Sequence, residues 1–270
     1  MAIKGLSSQE HRLVLKMLVS LGRSVEISNI HPAGPEYTSL MVCFLMHNLA
    51  AAESVLRLHD SFGDAYFPTT VGYTIVRTMF EIDVTAHYIT RDRSPRASQY
   101  IKYESVLKKR QLDAWKKHQI SNKTDWREAM ETAWRHYWAP REDVINSKYD
   151  SVRSRYERQT TKGKSILFSN WSGKSIREMS IEVDHEEAYD VFYADLSSFT
   201  HADVRLANRF LHLDPSGMTW SPQATDLDIG GVFRYADIFL DCFLSLFGQE
   251  FNTWSKDQVR ACWELTCRST

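Results

Sequence analysis

Residues 71–89, VGYTIVRTMFEIDVTAHYI, decide the fold class of this chain. The stretch is apolar on nearly every side, contains no proline and shows no alternation of apolar and polar residues, so it predicts a buried helix of about 20 residues. Tyr73, Arg77 and Glu81 follow one another at intervals of four, the spacing of neighbours on one helix face. Charged side chains such as Arg77 and Glu81 in so apolar a helix need partners.

Similar helical segments fill the rest of the chain, separated by breaks such as HPAGP at residues 31–35. Sustained alternation, internal repeats and a domain linker are all missing from the sequence. We therefore predict one all-α domain over residues 1–270, a multi-helix bundle of mixed topology. Ser7 or Ser8 would cap the first helix, and Asp184 with Glu187 a later one. The predicted helices cover residues 8–30, 36–59, 69–90, 95–118, 126–160 with a kink at Pro140, 175–183, 184–213 and 227–247; residues 160–175 and 214–226 are predicted loops.

Composition excludes several classes of protein. The chain of 270 residues is 43% hydrophobic, which argues against extensive disorder. Its four cysteines form neither a zinc ribbon nor a CxxC pair. The amino terminus does not resemble a signal peptide, and no apolar run reaches the roughly 20 residues of a membrane span, so we expect a soluble cytoplasmic protein with no membrane partner. Glycine-rich phosphate loops are missing, and we assign no cofactor and no metal ligand.

The net charge of −1 conceals a basic middle. Residues 91–177 contain 21 Lys plus Arg against 10 Asp plus Glu, a net +11, whereas the remainder carries −12. Ten aromatic residues, among them Trp115, Tyr137 and Trp138, lie between these charges. Basic and aromatic residues together are typical of nucleic-acid surfaces. They are equally typical of solvated helices backed by a core, or of a surface for self-association with the acidic ends, and we expect a homo-oligomer.

A second polar stripe lies in residues 186–212, EEAYDVFYADLSSFTHADVRLANRFLH. Tyr189, Tyr193, Ser197, His201 and Arg205 recur every fourth residue, so a continuous helix would place all five on one face. If this face met the third helix, His201 could act as acid and base beside a carboxylate and a guanidinium. The alternative is that Arg77 and Glu81 form a structural salt bridge and Ser197 is a packed serine.

Three motifs together resemble a known family. R-x-x-x-E at Arg77 and Glu81, the segment WSGKSIREMS, and Y-x-x-x-S-x-x-x-H from Tyr193 to His201 resemble DUF5677, a bacterial helical family of unknown function. The likeness covers residues 69–103 and 171–201. It implies an all-α fold and marks Arg77, Glu81, Tyr193, Ser197 and His201 as the positions that fit, without supplying an activity.

The chain also resembles HEPN proteins, helical bundles that commonly act as dimeric metal-independent ribonucleases through an R-x(4–6)-H motif. Arg205 and His212 fit that spacing and form a second candidate pair. The resemblance implies cleavage of RNA without a metal ion.

Two hypotheses follow. In the first, the chain acts on RNA or nucleotide phosphodiesters, as a toxin or defence effector would. His201 is the acid and base, Glu81 is the carboxylate that orients it, and Arg77 binds phosphate. Tyr193 and Ser197 donate hydrogen bonds. In the second, the chain is a non-catalytic binding or assembly module, and the same side chains form a structural network. A di-iron site is not indicated, because Glu182 and His185 form the sequence's single ExxH.

Overall fold

A computed structural model of the chain describes residues 6–27, 30, 34–119, 127–159, 161, 165–193, 196–197, 211–214, 217–220 and 226–268. Most of these residues are helical, so the predicted all-α class is confirmed. The chain divides into two compact units. We call residues 1–91 with 176–270 the terminal unit, and residues 92–175 the central unit. The prediction of one domain over residues 1–270 stays a prediction.

Long helices build the terminal unit. The first begins with the predicted cap, since the Ser7 hydroxyl accepts from the Glu10 amide at 3.3 Å, and Pro35 starts the second, where its missing N–H costs nothing. The third, over residues 69–90, has the predicted bounds. The helices are α1 (Ser8–Arg23), α2 (Pro35–Phe62), α3 (Thr69–Thr90), α8 (Ile176–Glu182), α9 (Glu186–Ala188), α10 (Asp226–Phe251) and α11 (Lys256–Arg268), with a 3-10 turn at Asp64–Tyr66.

The core of the terminal unit lies among four of these helices. α10 packs against α1, α2 and α3, and α11 covers α1. Leu15, Leu45, Phe80 and Phe243 are completely buried there. α3 and α10 approach each other closely at Gly231, where an added Cβ would collide with the Tyr73 hydroxyl. That hydroxyl donates to the main-chain carbonyl of Asp228 at 3.2 Å. Tyr73, the first of the three polar residues spaced by four on α3, therefore has a partner on α10.

Shorter helices and a hairpin form the central unit. Its interior contains Leu112, Trp138 and Ile145, with Trp115 and Trp134 packed against them. The prediction of a single helix over residues 95–118 is wrong at Tyr103, where a turn separates two helices. The helices are α4 (Arg93–Lys102), α5 (Glu104–Gln119), α6 (Arg127–Ala133) and α7 (Glu142–Val152); a π-helix at Trp134–Trp138 and 3-10 turns at Ala139–Arg141 and Arg153–Arg155 accompany them.

Two short antiparallel hairpins correct the sequence-based assignment. β1 (Glu157–Gln159) pairs with β2 (Ser165–Leu167), replacing the end of the helix predicted over residues 126–160 and part of the loop predicted after it. β3 (Leu211–Asp214) pairs with β4 (Gly217–Trp220), where a helix end and a loop were predicted. Strands of three and four residues are too short to show alternation in a sequence.

The predicted helix over residues 184–213 is also wrong in its continuity. Asp184 has a positive φ of 62°, so it ends the preceding turn rather than capping a helix. His185 takes the N-cap position of α9, and a π-helix follows at Tyr189–Tyr193. Residues 211–214 are already in β3. Of the five residues spaced by four, Tyr189 and Tyr193 therefore lie in a π-helix rather than an α-helix, and His201 and Arg205 lie outside the described residues.

Among the described residues, α2 is the one helix that is long and apolar enough to cross a membrane by length and composition. Its most apolar stretch is 56% buried within the fold. α2 contacts α1, α3 and α10, which is the environment of a core helix. The helix is therefore weak evidence for a membrane span.

Candidate functional site

Two clusters of polar side chains lie on α3, and both include residues from the segment His185–Tyr193. His185 lies 3.3 Å from Asp83, the Tyr189 ring centroid is 6.5 Å from that of Phe80, and Tyr193 contacts Arg77. The segment therefore follows α3 in the antiparallel direction. A rise of about 1.5 Å per residue separates the centres of the two clusters by roughly 9 Å along the helix axis.

The first cluster is a triangle of Arg77, Glu81 and Tyr193. Arg77 Nε donates to Glu81 Oε1 at 2.9 Å, and its Nη2 donates to the Tyr193 hydroxyl at 2.9 Å. That hydroxyl in turn donates to Glu81 Oε1 at 2.9 Å. The Arg77 side chain is 17% exposed and the Glu81 side chain 36%. Sequence reasoning named all three residues, and the structure brings them together.

Aromatic packing holds the triangle in place. The Tyr193 ring stacks on Tyr189 with centroids 4.7 Å apart and also contacts Phe80. The Arg77 guanidinium lies 5.0 Å from the Tyr193 ring centroid. Burial and the Glu81 carboxylate raise the pKa of Tyr193, so its hydroxyl is protonated at neutral pH and can donate.

The three members of the triangle all bind one another. Each of its three contacts is a hydrogen bond with normal geometry. A phosphate group that bound the same two donors of Arg77, Nε and Nη2, would take the place of Glu81 and Tyr193. The arrangement therefore serves structure as it stands and serves phosphate binding after a local rearrangement.

The remaining predicted site residues do not join this triangle in the described part of the chain. Ser197 is helical and half-buried. His201 and Arg205 lie outside the described residues. His212 lies in β3 rather than in a helix, so the second candidate pair of Arg205 and His212 is not set by helical spacing.

The second cluster consists of Asp83, His87 and His185, whose potential ligand atoms all lie within 4.8 Å of one another. Asp83 Oδ1 is 3.2 Å from His87 Nδ1, and Asp83 Oδ2 is 3.3 Å from His185 Nε2. The Asp83 side chain is 1% exposed, while each histidine is 21% exposed. The two imidazole centroids are 4.5 Å apart.

In the second cluster, burial and the neighbouring side chains shift the pKa values in opposite directions. Burial would raise the pKa of Asp83, but the two histidines beside it lower that pKa instead. Burial likewise disfavours a charged His87, and the Asp83 carboxylate outweighs it and raises the pKa of His87. The cluster thus favours an ionised carboxylate next to positive charge.

Sequence reasoning missed this second cluster. Asp83 and His87 are one helical turn apart, a D-x-x-x-H spacing visible in the sequence. The sequence alone does not distinguish His87 from an ordinary hydrogen-bonded histidine, and the third member, His185, is almost 100 positions later. Only the fold shows that these residues meet.

A buried acidic row on α10 adds to the polar interior of the terminal unit. Asp237 is completely buried, and its Oδ2 lies 2.7 Å from His11 Nδ1. Burial raises the pKa of Asp237 to about 7, and the His11 hydrogen bond only partly offsets this. Burial similarly raises the pKa of Asp241 to about 6, with a smaller contribution from Asp83. Burial also raises the pKa of the Cys242 thiol, so this cysteine is a poor nucleophile.

No charged side chain in the described part of the central unit is buried. Basic residues with no carboxylate partner among the described residues are exposed on this unit: Lys117, Arg135, Lys148, Arg155 and Arg158. Five of the ten aromatic residues that sequence reasoning placed among the charges are buried instead, and three more are half-buried. Tyr137 is 50% exposed and lies under the Arg141 guanidinium at 4.5 Å. The unit therefore offers positive charge with little aromatic surface.

One comparison with known proteins gives a result. The model of DUF5677, a family of unknown function, matches residues 40–218. The chain belongs to DUF5677. The match includes α3, the whole central unit and every residue of the two α3 clusters, and it confirms the family predicted from the three motifs. No curated protein and no solved structure matches the chain. The HEPN resemblance stays a prediction.

Proposed function

We propose that this DUF5677 chain is a cytoplasmic RNA-binding protein that acts on phosphodiester bonds in the manner of a metal-independent ribonuclease. One observation carries the proposal: charge divides along the boundaries of the two compact units. The central unit holds 19 Lys plus Arg against 10 Asp plus Glu, a net +9, and the terminal unit holds 14 against 24, a net −10. A concentrated positive field attracts the phosphate backbone.

The exposed side chains of the central unit favour contact with phosphates over contact with bases. Arg135, Lys148, Arg155 and Arg158 are exposed and have no described carboxylate partner. Stacking platforms for bases need exposed aromatic rings, and Trp138, Tyr149, Tyr156 and Trp171 are at most 8% exposed. We therefore expect weak sequence preference and strong dependence on salt.

The chemistry in this proposal belongs to the terminal unit. Arg77 would bind a phosphate oxygen in place of Tyr193, while Glu81 would keep the guanidinium oriented. His201 would transfer the proton, and Ser197 and Tyr193 would donate hydrogen bonds to the reacting group. The HEPN resemblance adds the pair Arg205 and His212 and a homodimer. A toxin or defence effector is the biological class that such an activity would serve.

Cleavage is tested with purified full-length chain and mixed cellular RNA, in chelator and without added metal. We expect the wild type to degrade RNA and His201→Ala to lose at least about 100-fold in rate, the usual contribution of a general acid or base. His47→Ala, an exposed histidine on α2, is the matched control and should cleave normally. Equal cleavage by a folded His201→Ala, or no cleavage by the wild type, contradicts the catalytic part.

Binding is tested separately by fluorescence anisotropy with single-stranded RNA across a series of salt concentrations. The double variant Arg135→Glu with Lys148→Glu should bind more weakly and reduce the slope of log K against log[salt] by about 1–2. Lys16→Glu with Arg57→Glu makes the same charge change at exposed positions of the terminal unit. Identical losses in both double variants would contradict a specific role for the central unit.

A second candidate function, a non-catalytic assembly module, is favoured by the closed triangle of Arg77, Glu81 and Tyr193. A network whose hydrogen bonds are already made among its own members is typical of structural polar groups. Opposite net charges on the two units also favour association between copies of the chain. Light scattering at low and high salt distinguishes this: assembly by charge predicts an oligomer that dissociates as salt rises.

A further inference from the structure

We propose that Asp83, His87 and His185 bind a divalent transition-metal ion such as Zn²⁺. The proposal does not depend on the proposed function, which requires no metal. Two imidazoles and one carboxylate are a common donor set for such ions. Their potential ligand atoms already lie within 4.8 Å of one another.

The hydrogen bonds of the two histidines fix which ring nitrogen can coordinate. His185 Nδ1 lies 2.9 Å from the main-chain carbonyl of Val183, and His87 Nδ1 lies 3.0 Å from that of Asp83. A carbonyl only accepts, so both Nδ1 atoms must carry the proton. In a neutral ring, Nε2 then holds the lone pair. A histidine that donates Nδ1–H to a carbonyl and offers Nε2 to the ion is the usual arrangement in metal sites.

This assignment leaves an electrostatic conflict that a cation removes. His185 Nε2 lies 3.3 Å from Asp83 Oδ2, so a neutral His185 would direct its lone pair at a carboxylate oxygen. Two ligands about 2.1 Å from a tetrahedral ion are themselves about 3.4 Å apart, which matches this distance. Either a metal ion or a proton on Nε2 must lie between the two atoms.

The unpartnered oxygen of Asp83 favours the metal ion over the proton. Asp83 Oδ1 is buried and accepts no hydrogen bond in the described structure, although His87 Nδ1 is only 3.2 Å away. A proton on His185 would satisfy Oδ2 and leave Oδ1 unchanged. A divalent ion neutralises the whole carboxylate and can contact either oxygen. The histidines are 21% exposed, which gives the ion a path from solvent and leaves room for a water ligand.

The site would have a consequence for the fold. His185 is the residue from which α9 and the π-helix begin, whereas Asp83 and His87 belong to α3. An ion bound by all three would fix the start of the segment His185–Tyr193 against α3.

Titration calorimetry of chelator-stripped full-length chain with ZnCl2 tests the proposal. We expect one equivalent per chain, and at least about 100-fold weaker binding in His185→Ala and in His87→Ala, since losing a direct ligand costs no less than losing a second-shell partner. His47→Ala should bind like the wild type. The same loss in the near-isosteric Asp83→Asn keeps the test valid if an alanine variant fails to fold. Replacing Zn²⁺ with Co²⁺ should give visible absorption bands in the wild type that His185→Ala lacks.

Two results would overturn the proposal. One is a wild type that binds Zn²⁺ no better than Asp83→Asn. The other is undiminished binding in folded His185→Ala and His87→Ala, which would place the ion elsewhere. In the first case a proton between His185 Nε2 and Asp83 Oδ2 is the remaining explanation for their separation of 3.3 Å.

Discussion

The two compact units place their ionisable groups in opposite ways. The terminal unit encloses them: Asp83 and Asp237 are at most 1% exposed, and Arg77 lies largely under Tyr193. The central unit displays them, with Arg135, Lys148 and neighbouring basic residues open to solvent. Enclosed charges change stability strongly and locally, whereas displayed charges change it little and act at long range. The same residue types therefore serve different purposes in the two units.

The largest expected effect concerns Asp237. Its carboxyl has a pKa of about 7 in the fold against an ordinary value of 3.8, so the folded state holds this proton more tightly than the unfolded state. Its contribution to stability is complete below about pH 4 and is lost as the pH rises through 7. Asp237→Asn should remove that loss. The difference in the free energy of unfolding between the wild type and the variant should therefore change by about 3 kcal/mol from pH 4 to pH 8.

Urea unfolding at a series of pH values measures the Asp237 effect. Asp257→Asn, at an exposed carboxylate on α11, is the control and should follow the wild type. Parallel pH profiles for the wild type and Asp237→Asn would show that this carboxyl does not titrate as its burial requires.

Glu81→Ala should have the next largest effect. It leaves the mostly buried Arg77 guanidinium and the Tyr193 hydroxyl without their shared acceptor, so we expect a loss of about 2 kcal/mol in the free energy of unfolding. The control is Glu53→Ala, which breaks the exposed pair with Arg23 and should cost less than about 1 kcal/mol. Equal costs in denaturant titrations would mean that the triangle is no more than a surface ion pair.

Tyr193→Phe should cost about 1 kcal/mol, because it removes one hydroxyl that both donates and accepts while keeping the ring stacked on Tyr189. Tyr66→Phe, a 71% exposed tyrosine, provides the comparison. If Tyr193→Phe also costs nothing, the Tyr193 hydroxyl does not contribute to folding, which strengthens the phosphate hypothesis over the structural one.

The smallest change in stability is expected for Arg135→Glu with Lys148→Glu. Both side chains are exposed and have no described carboxylate partner, so the double variant should unfold within about 0.5 kcal/mol of the wild type. Thermal unfolding checks this. A large destabilisation would mean that the central unit, like the terminal one, uses these charges internally.

The helices of the terminal unit were predictable because they are long and strongly periodic. α3 was predicted over residues 69–90 and spans Thr69–Thr90, and Ser7 was one of the two serines predicted to cap the first helix. The hairpins were not predictable, since β1 to β4 are three or four residues each and their stability comes from cross-strand pairing. α11 was missed as well, a 13-residue helix at the end of the chain.

Of the two α3 clusters, the sequence predicted the residues of the first and missed the second. Arg77, Glu81 and Tyr193 were found because charged residues at helical spacing are conspicuous in an apolar segment. Asp83 and His87 were overlooked in that segment, because a carboxylate and a histidine one turn apart have no distinctive pattern until His185 meets them. The stripe through Ser197 and His201 assumed an uninterrupted α-helix, and the π-helix at Tyr189–Tyr193 removes that assumption.

That π-helix ends at Tyr193 of the first α3 cluster and begins one turn after His185 of the second. Each residue of an α-helix turns the chain by about 100°, and a π-turn accommodates one residue more than an α-turn. Deleting Val191, an exposed residue inside the π-helix, should therefore remove the additional residue and let the segment relax to regular α-helix, with the residues before and after it in their original orientations. With His185 held at Asp83, Tyr193 should still meet Arg77. The segment thus tolerates the loss of one residue at this point, which a regular α-helix does not.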